Sequence, residues 1–222
     1  MLVLSLLTVT LAGQQVVAPD ASKLDADRVT SGEFRTQRFG PVRWLDGAHY
    51  ATLERKSAGG PMELVRYEAL TGKRQVLVTA AMLWVTKEGR ALTIENYSFS
   101  PDQKWLMVFT DSVRVWRLNT RGEYYLLPLD GSEEPRRLGG SLDKSTLMFA
   151  KFSPNSSRVG YVSQNDVYVE NVTSGKQARL THDGSLTVIN GTFDWVYEEE
   201  FDCRDGFRWS PDSDHIAYWQ LD

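Results

Sequence analysis

The sequence predicts an all-β chain: a partial β-propeller of about three four-stranded blades plus the start of a fourth. Three observations carry that prediction. A turn motif recurs, as Phe99-Ser100-Pro101-Asp102, Phe152-Ser153-Pro154-Asn155 and Trp209-Ser210-Pro211-Asp212. Its spacing is nearly constant, the prolines lying 53 residues (154 − 101) and 57 residues (211 − 154) apart. Each copy leads through a polar turn into a short apolar run, at residues 105–109, 159–162 and 216–219. Proline presets φ for a turn, and Asp or Asn closes it through the side chain. Four short strands in about 50 residues, joined by hairpin turns, are the pattern of a propeller blade.

Taken in order, residues 1–18 are apolar and uncharged and read as a secretory signal or N-terminal anchor. That places the protein in the periplasm or outside the cell. Residues 19–41 form a partly helical lead-in, and residues 42–222 the blades. The first blade opens on a weaker copy of the motif, Arg43-Trp44-Leu45-Asp46-Gly47. Its later strands are residues 50–53, 63–68 and 74–78. Residues 79–98 have no assigned role beyond a strand entering the second blade at 94–99. The second blade continues through 123–129 and 136–138 around Asp130-Gly131. The third continues through 166–171 and 177–180 around Thr173-Ser174-Gly175-Lys176. Propellers close into a ring that protects their edges. An open stack therefore predicts a portion of a longer protein.

Composition narrows the function. The 222 residues include 25 basic and 29 acidic side chains, a net charge of −4, which gives no reason to expect a nucleic-acid partner. One cysteine, Cys203, makes neither an internal disulfide nor a zinc site. No phosphate loop or metal motif occurs, so no cofactor is expected. No G-x-S-x-G occurs; Gly139-Gly140-Ser141-Leu142-Asp143 lacks the last glycine. His49, His182 and His215 each sit by a turn and read as surface residues. The sequons at Asn96, Asn155, Asn171 and Asn190 read as chance.

The stretch that asks for a function is Asp194-Trp195-Val196-Tyr197-Glu198-Glu199-Glu200-Phe201. Three carboxylates follow an aromatic-apolar run, where a chain ordinarily buries its side chains. Crowded and desolvated carboxylates are costly unless a cation joins them. The cation could be a neighbouring arginine or a ligand ammonium. Trp195 and Tyr197 are expected to pack and set the direction of the acids.

That stretch, with Phe207-Arg208-Trp209-Ser210-Pro211-Asp212 and Ile216-Ala217-Tyr218-Trp219, resembles the N-terminal β-propeller of dipeptidyl peptidase IV and its bacterial relatives, serine peptidases of the prolyl oligopeptidase type. The resemblance is specific over residues 190–221 and looser over 39–190. It implies an eight-bladed propeller paired with an α/β-hydrolase domain that carries the catalytic triad and is absent from this chain. It implies a peptide substrate with a free N-terminus, cut after its second residue. Glu199 and Glu200 would bind the substrate ammonium. Arg117, after Trp116, would hold the acids and contact a substrate carbonyl. A homodimer of the full-length protein is left open. The alternative reading is a non-enzymatic propeller that binds peptides or protein partners.

Overall fold

A computed structural model of the chain describes residues 23–35, 41–55 and 60–222. The segment read as an export signal, residues 1–18, lies outside the described residues. The chain divides into two compact units, residues 1–39 and 40–222. The described part of the first unit holds one short helix, α1 (Ala26–Thr30), whose first turn is capped by the Asp25 carboxylate accepting from the Arg28 N–H at 2.8 Å. No helix among the described residues is long and apolar enough to cross a membrane.

The second unit is a series of antiparallel meanders. The first blade is β1 (Val42–Trp44), β2 (His49–Arg55), β3 (Met62–Glu68) and β4 (Arg74–Val78), hydrogen-bonded in that order. Residues 79–98, which carried no assignment, form two 3₁₀ turns around a small ladder, β5 (Trp84–Val85) with β6 (Arg90–Ala91). Their apolar residues Leu83, Val85, Leu92 and Ile94 are buried in the core between the first two blades. The second blade is β7 (Asn96–Phe99), β8 (Trp105–Val115), β9 (Leu118–Pro128) and β10 (Arg136–Arg137). The third is β11 (Leu147–Phe152), β12 (Arg158–Ser163), β13 (Asp166–Asn171) and β14 (Gln177–Arg179). A fourth begins beyond it.

The cores lie between blades, and strand alternation explains how. Successive side chains of a strand point to opposite faces. Along β8, Leu106 and Val108 enter the core shared with the first blade, while Met107 enters the core shared with the third. Along β9, Tyr125 and Leu127 face the first blade, and Tyr124 and Leu126 face the third. The second blade is therefore apolar on both faces, as a strand between two layers must be.

The Ser-Pro-[Asp/Asn] turns bind as their spacing predicts, and they also join neighbouring blades. In the second blade the Ser100 hydroxyl donates to Asp102 Oδ1 at 2.6 Å and accepts the Trp105 N–H at 3.0 Å. The same bonds recur from Ser153 to Asn155 and Arg158, and from Ser210 to Asp212 and His215. One residue of each turn, Gln103, Ser156 or Ser213, adopts a left-handed backbone. Ser156 Oγ accepts the Asp102 N–H of the preceding blade, and Ser213 Oγ accepts the Asn155 N–H, each at 3.0 Å. The repeat is thus a ladder of bonds from blade to blade.

One element exceeds its expected length. The sequence predicts a strand at 123–129, whereas β9 starts at Leu118 and pairs with a β8 that runs on to Val115. Residues 111–122 hid the extension, because their apolar members Val113, Val115, Trp116 and Leu118 lie among charged and polar residues and none of them is buried. The ladder shifts register between Thr110 and Val113 and again before Val115. There the hairpin bends, and Gly122 and Arg121 pair with Leu147 and Met148 of the third blade. A Cβ on Gly122 would lie 2.6 Å from the Phe109 ring and 2.9 Å from the Thr110 carbonyl oxygen. Only glycine allows this close approach. Gly122→Ala is expected to destabilise the protein by about 1–3 kcal/mol, the usual cost of overpacking, read as a lower urea midpoint.

The turn aspartates make stability sensitive to acid. Asp46 is held below its ordinary 3.8 by the Ala48 N–H and His49, and Asp212 by the Ser210 hydroxyl and the Asp214 N–H. At Asp102 partial desolvation pushes the carboxyl up, but the bonds from Ser100, Lys104 and Ser156 outweigh it. A carboxyl whose folded pKa is depressed stabilises fully above its unfolded value and loses that contribution as pH falls through the folded one. The urea midpoint is expected to drop as pH falls below about 3.8. The triple variant Asp46→Asn, Asp102→Asn, Asp212→Asn should flatten that part of the profile.

Candidate functional site

Residues Trp195–Phe201 form a helix, α2. It lies between β15 (Ile189–Asn190) and β16 (Phe207–Trp209), which pairs with β17 (Ile216–Tyr218) to open the fourth blade; β18 (Gln220–Leu221) returns to β15. The Asp194 carboxylate caps the helix by accepting the Tyr197 N–H at 3.0 Å. At the far end Asp202 turns left-handed, with φ 55°, and the Cys203 N–H closes on the Tyr197 carbonyl at 3.1 Å. Seven residues make fewer than two full turns. That is too short to show a helical period in the sequence, where none was found.

The helix overturns the idea that the three acids are buried together. Successive helical residues point about 100° apart. Glu198 turns inward and is 8% exposed. The Glu199 side chain is 25% exposed, and Glu200 is open to solvent. Trp195 and Tyr197, expected to pack, are 47% and 38% exposed. Tyr197 nevertheless sits in an aromatic row, with ring centroids 5.4 Å from Phe193 and 5.7 Å from Phe201.

Arg117 meets Glu199. Its Nη2 lies 2.6 Å from Glu199 Oε1. The bent β8–β9 hairpin makes this possible, since Arg117 occupies its apex between the paired Val115 and Leu118. Trp116 takes a left-handed φ of 52° at the same apex, an uncommon conformation for a bulky residue. The Arg117 side chain is 70% exposed, and among the described residues Glu199 is its one ion-pair partner. Among the described residues Glu200 has no hydrogen-bonding or ion-pair partner.

Glu198 has a partner that the sequence reading did not name. Arg204 Nε lies 3.6 Å from Glu198 Oε1, and Arg204 Nη2 binds Asp202 Oδ1 at 2.5 Å. The order of burial among the three acids had no signal in a run of identical residues; only the helix phase supplies it.

The remaining candidates stay structural. His49 binds Asp46 in its turn, and His182 and His215 are exposed. Ser141 donates to Gln177, while the carbonyls of Gly139 and Leu142 accept from Arg137. Asn190 is fully buried and bonded to Asp183 and Gln220, so its sequon is closed in the folded protein.

With this geometry in hand, comparison with known proteins is decisive. The family described as the Dipeptidyl peptidase IV (DPP IV) N-terminal region matches residues 100–222, more than half of the chain. The chain belongs to this family. It is similar to dipeptidyl aminopeptidase B of Saccharomyces cerevisiae, 38% identical over 136 residues, which are 60% of this chain and 16% of that protein. Prolyl endopeptidase FAP of Homo sapiens is 27% identical over 192 residues, 86% of this chain and 23% of that protein. The crystal structure of Porphyromonas gingivalis dipeptidyl peptidase 4 superposes with a TM-score of 0.73 at 27% identity, covering 89% of this chain and 27% of that one. The stacked meanders are therefore part of a dipeptidyl peptidase propeller, the all-β partial propeller that the sequence predicts. The chain spans less than a quarter of the length of the two curated relatives named.

Proposed function

We propose that this chain is the substrate-gating, amine-recognising propeller portion of an exported serine exopeptidase that releases dipeptides from peptide N-termini. A hydrolase domain outside this chain would supply the nucleophile and the rest of the triad. The observation that carries the reading is the Arg117–Glu199 contact beside an unpartnered Glu200, in a chain of the dipeptidyl peptidase IV family.

The chemistry of this arrangement suits a peptide N-terminus. Arg117 engages one oxygen of Glu199. The second oxygen, and both oxygens of Glu200, remain to accept from an ammonium group. Such charge-assisted bonds are the stronger class of hydrogen bond. Arg117 keeps further donors of its planar fork for a backbone carbonyl acceptor. A clamp on the terminal ammonium, at fixed distance from a nucleophile, counts residues from the amino end. A blocked amine would leave the carboxylates uncompensated.

A hydrogen bond to a charged group is worth about 1.5–3 kcal/mol, and about 1.4 kcal/mol is tenfold in affinity or rate. In the complete peptidase, Glu199→Ala and Glu200→Ala are each expected to lower kcat/KM for a free-amine dipeptide anilide by about 10–100-fold. Turnover unchanged in both variants would remove the clamp.

A further inference from the structure

We infer that Glu198 and Arg204 form a positioning strut that sets the rotation of α2, and so the aim of Glu199 at Arg117 and at a bound ammonium. This rests on the proposed amine-binding role of Glu199. Neither residue touches the ligand in this account; both act through Glu199.

A helix of seven residues is marginal on its own, and packing has to hold it in place. Little of α2 is packed: Trp195, Val196 and Phe201 are 47%, 47% and 65% exposed. On the inner face Glu198 is the buried residue of the helix. A buried carboxylate requires a cation. The Arg204 guanidinium provides it at 3.6 Å, within ion-pair reach but beyond a hydrogen bond. Arg204 Nε is itself buried and donates to no acceptor. Glu198 is the carboxylate placed beside it.

Arg204 is well anchored for such a task. Its carbonyl accepts the Thr192 hydroxyl at 3.0 Å, across a bridge between Thr192 and Asp205. Its other arm holds Asp202, the residue that ends α2. Asp205, next in the chain, is tied to Lys151 of β11 and to Arg208. The strut therefore runs from the helix to the loop that enters the fourth blade. With Glu198 fixed inward, the roughly 100° step of the helix turns Glu199 toward the hairpin tip. Released, α2 would be free to roll, and Glu199 would leave Arg117 while the fold stood.

The test is the kinetics of the complete peptidase on alanyl-prolyl p-nitroanilide, with variants Glu198→Gln, Arg204→Gln, Arg204→Lys and, as the control for the amine reading, Glu199→Gln. Glu198→Gln and Arg204→Gln should each raise KM about tenfold with kcat within about twofold, and the double variant should be no worse than either. Arg204→Lys, which keeps the charge, should recover most of the lost KM. KM unchanged in both strut variants while Glu199→Gln raises it overturns the strut and leaves the amine reading standing. KM unchanged in Glu199→Gln removes the amine reading, and the strut with it. A lowered melting temperature with unchanged KM makes the pair structural only and also overturns the proposal. Should Arg204→Gln fail to fold, Glu198→Gln, a near-isostere, decides alone.

Discussion

A guanidinium at the tip of an overlong hairpin reaches a carboxylate on a seven-residue helix, and the proposed recognition depends on that meeting. The contact is too weak to create itself. Arg117 is 70% exposed, and exposed ion pairs contribute about 0–1 kcal/mol. The pair therefore reports the fold rather than holding it. Two independent devices bring the partners together. The bend at Gly122 carries the hairpin across to the third blade, and the Asp194 cap and the Glu198–Arg204 contact fix the helix.

The blades supply the rigidity that these devices need. Between each pair of blades lies an apolar layer, and alternation along β8 and β9 feeds two layers from the same strand. Charges are buried by the same rule. Adjacent Arg136 and Arg137 on β10 point to opposite sides. Arg136 pairs with Glu170 of the third blade, and Arg137 binds Glu123 of its own blade at 2.5 Å. Both glutamates are 2% exposed, so each needs its arginine: a buried carboxylate without a partner costs several kcal/mol. Asp166, 1% exposed and paired with Arg179, follows the same rule, and these buried acids serve the fold. Glu199 and Glu200, by contrast, stay in reach of water.

Much of this was legible in the sequence. The Ser-Pro-[Asp/Asn] turns announce themselves because turn chemistry is local: Ser100, Ser153 and Ser210 bind the residues that their spacing dictates. The strands of the first and third blades were legible because alternation is read against a buried face. The β8–β9 extension was not, since residues 111–122 leave the core and lose that signal. Nor was α2, whose length is below the range where a 3.6-residue period can be seen. Its acids are legible as a run, but their unequal burial follows from helix phase, and Arg204 carries no signal because its partner lies six positions back along a helix too short to show a period. Arg117 came from family resemblance; nothing in Trp116-Arg117-Leu118 by itself marks a site.

The central claim is that Arg117 and Glu199 act as one unit in recognising a free amine. A double-mutant cycle with Arg117→Met and Glu199→Gln measures this directly, from KM for a free-amine dipeptide anilide in the complete peptidase. Residues that act as a unit show coupling of about 0.5–3 kcal/mol. The account predicts coupling in that range, with the double variant scarcely worse than the poorer single one. Additive effects of the two substitutions would contradict it.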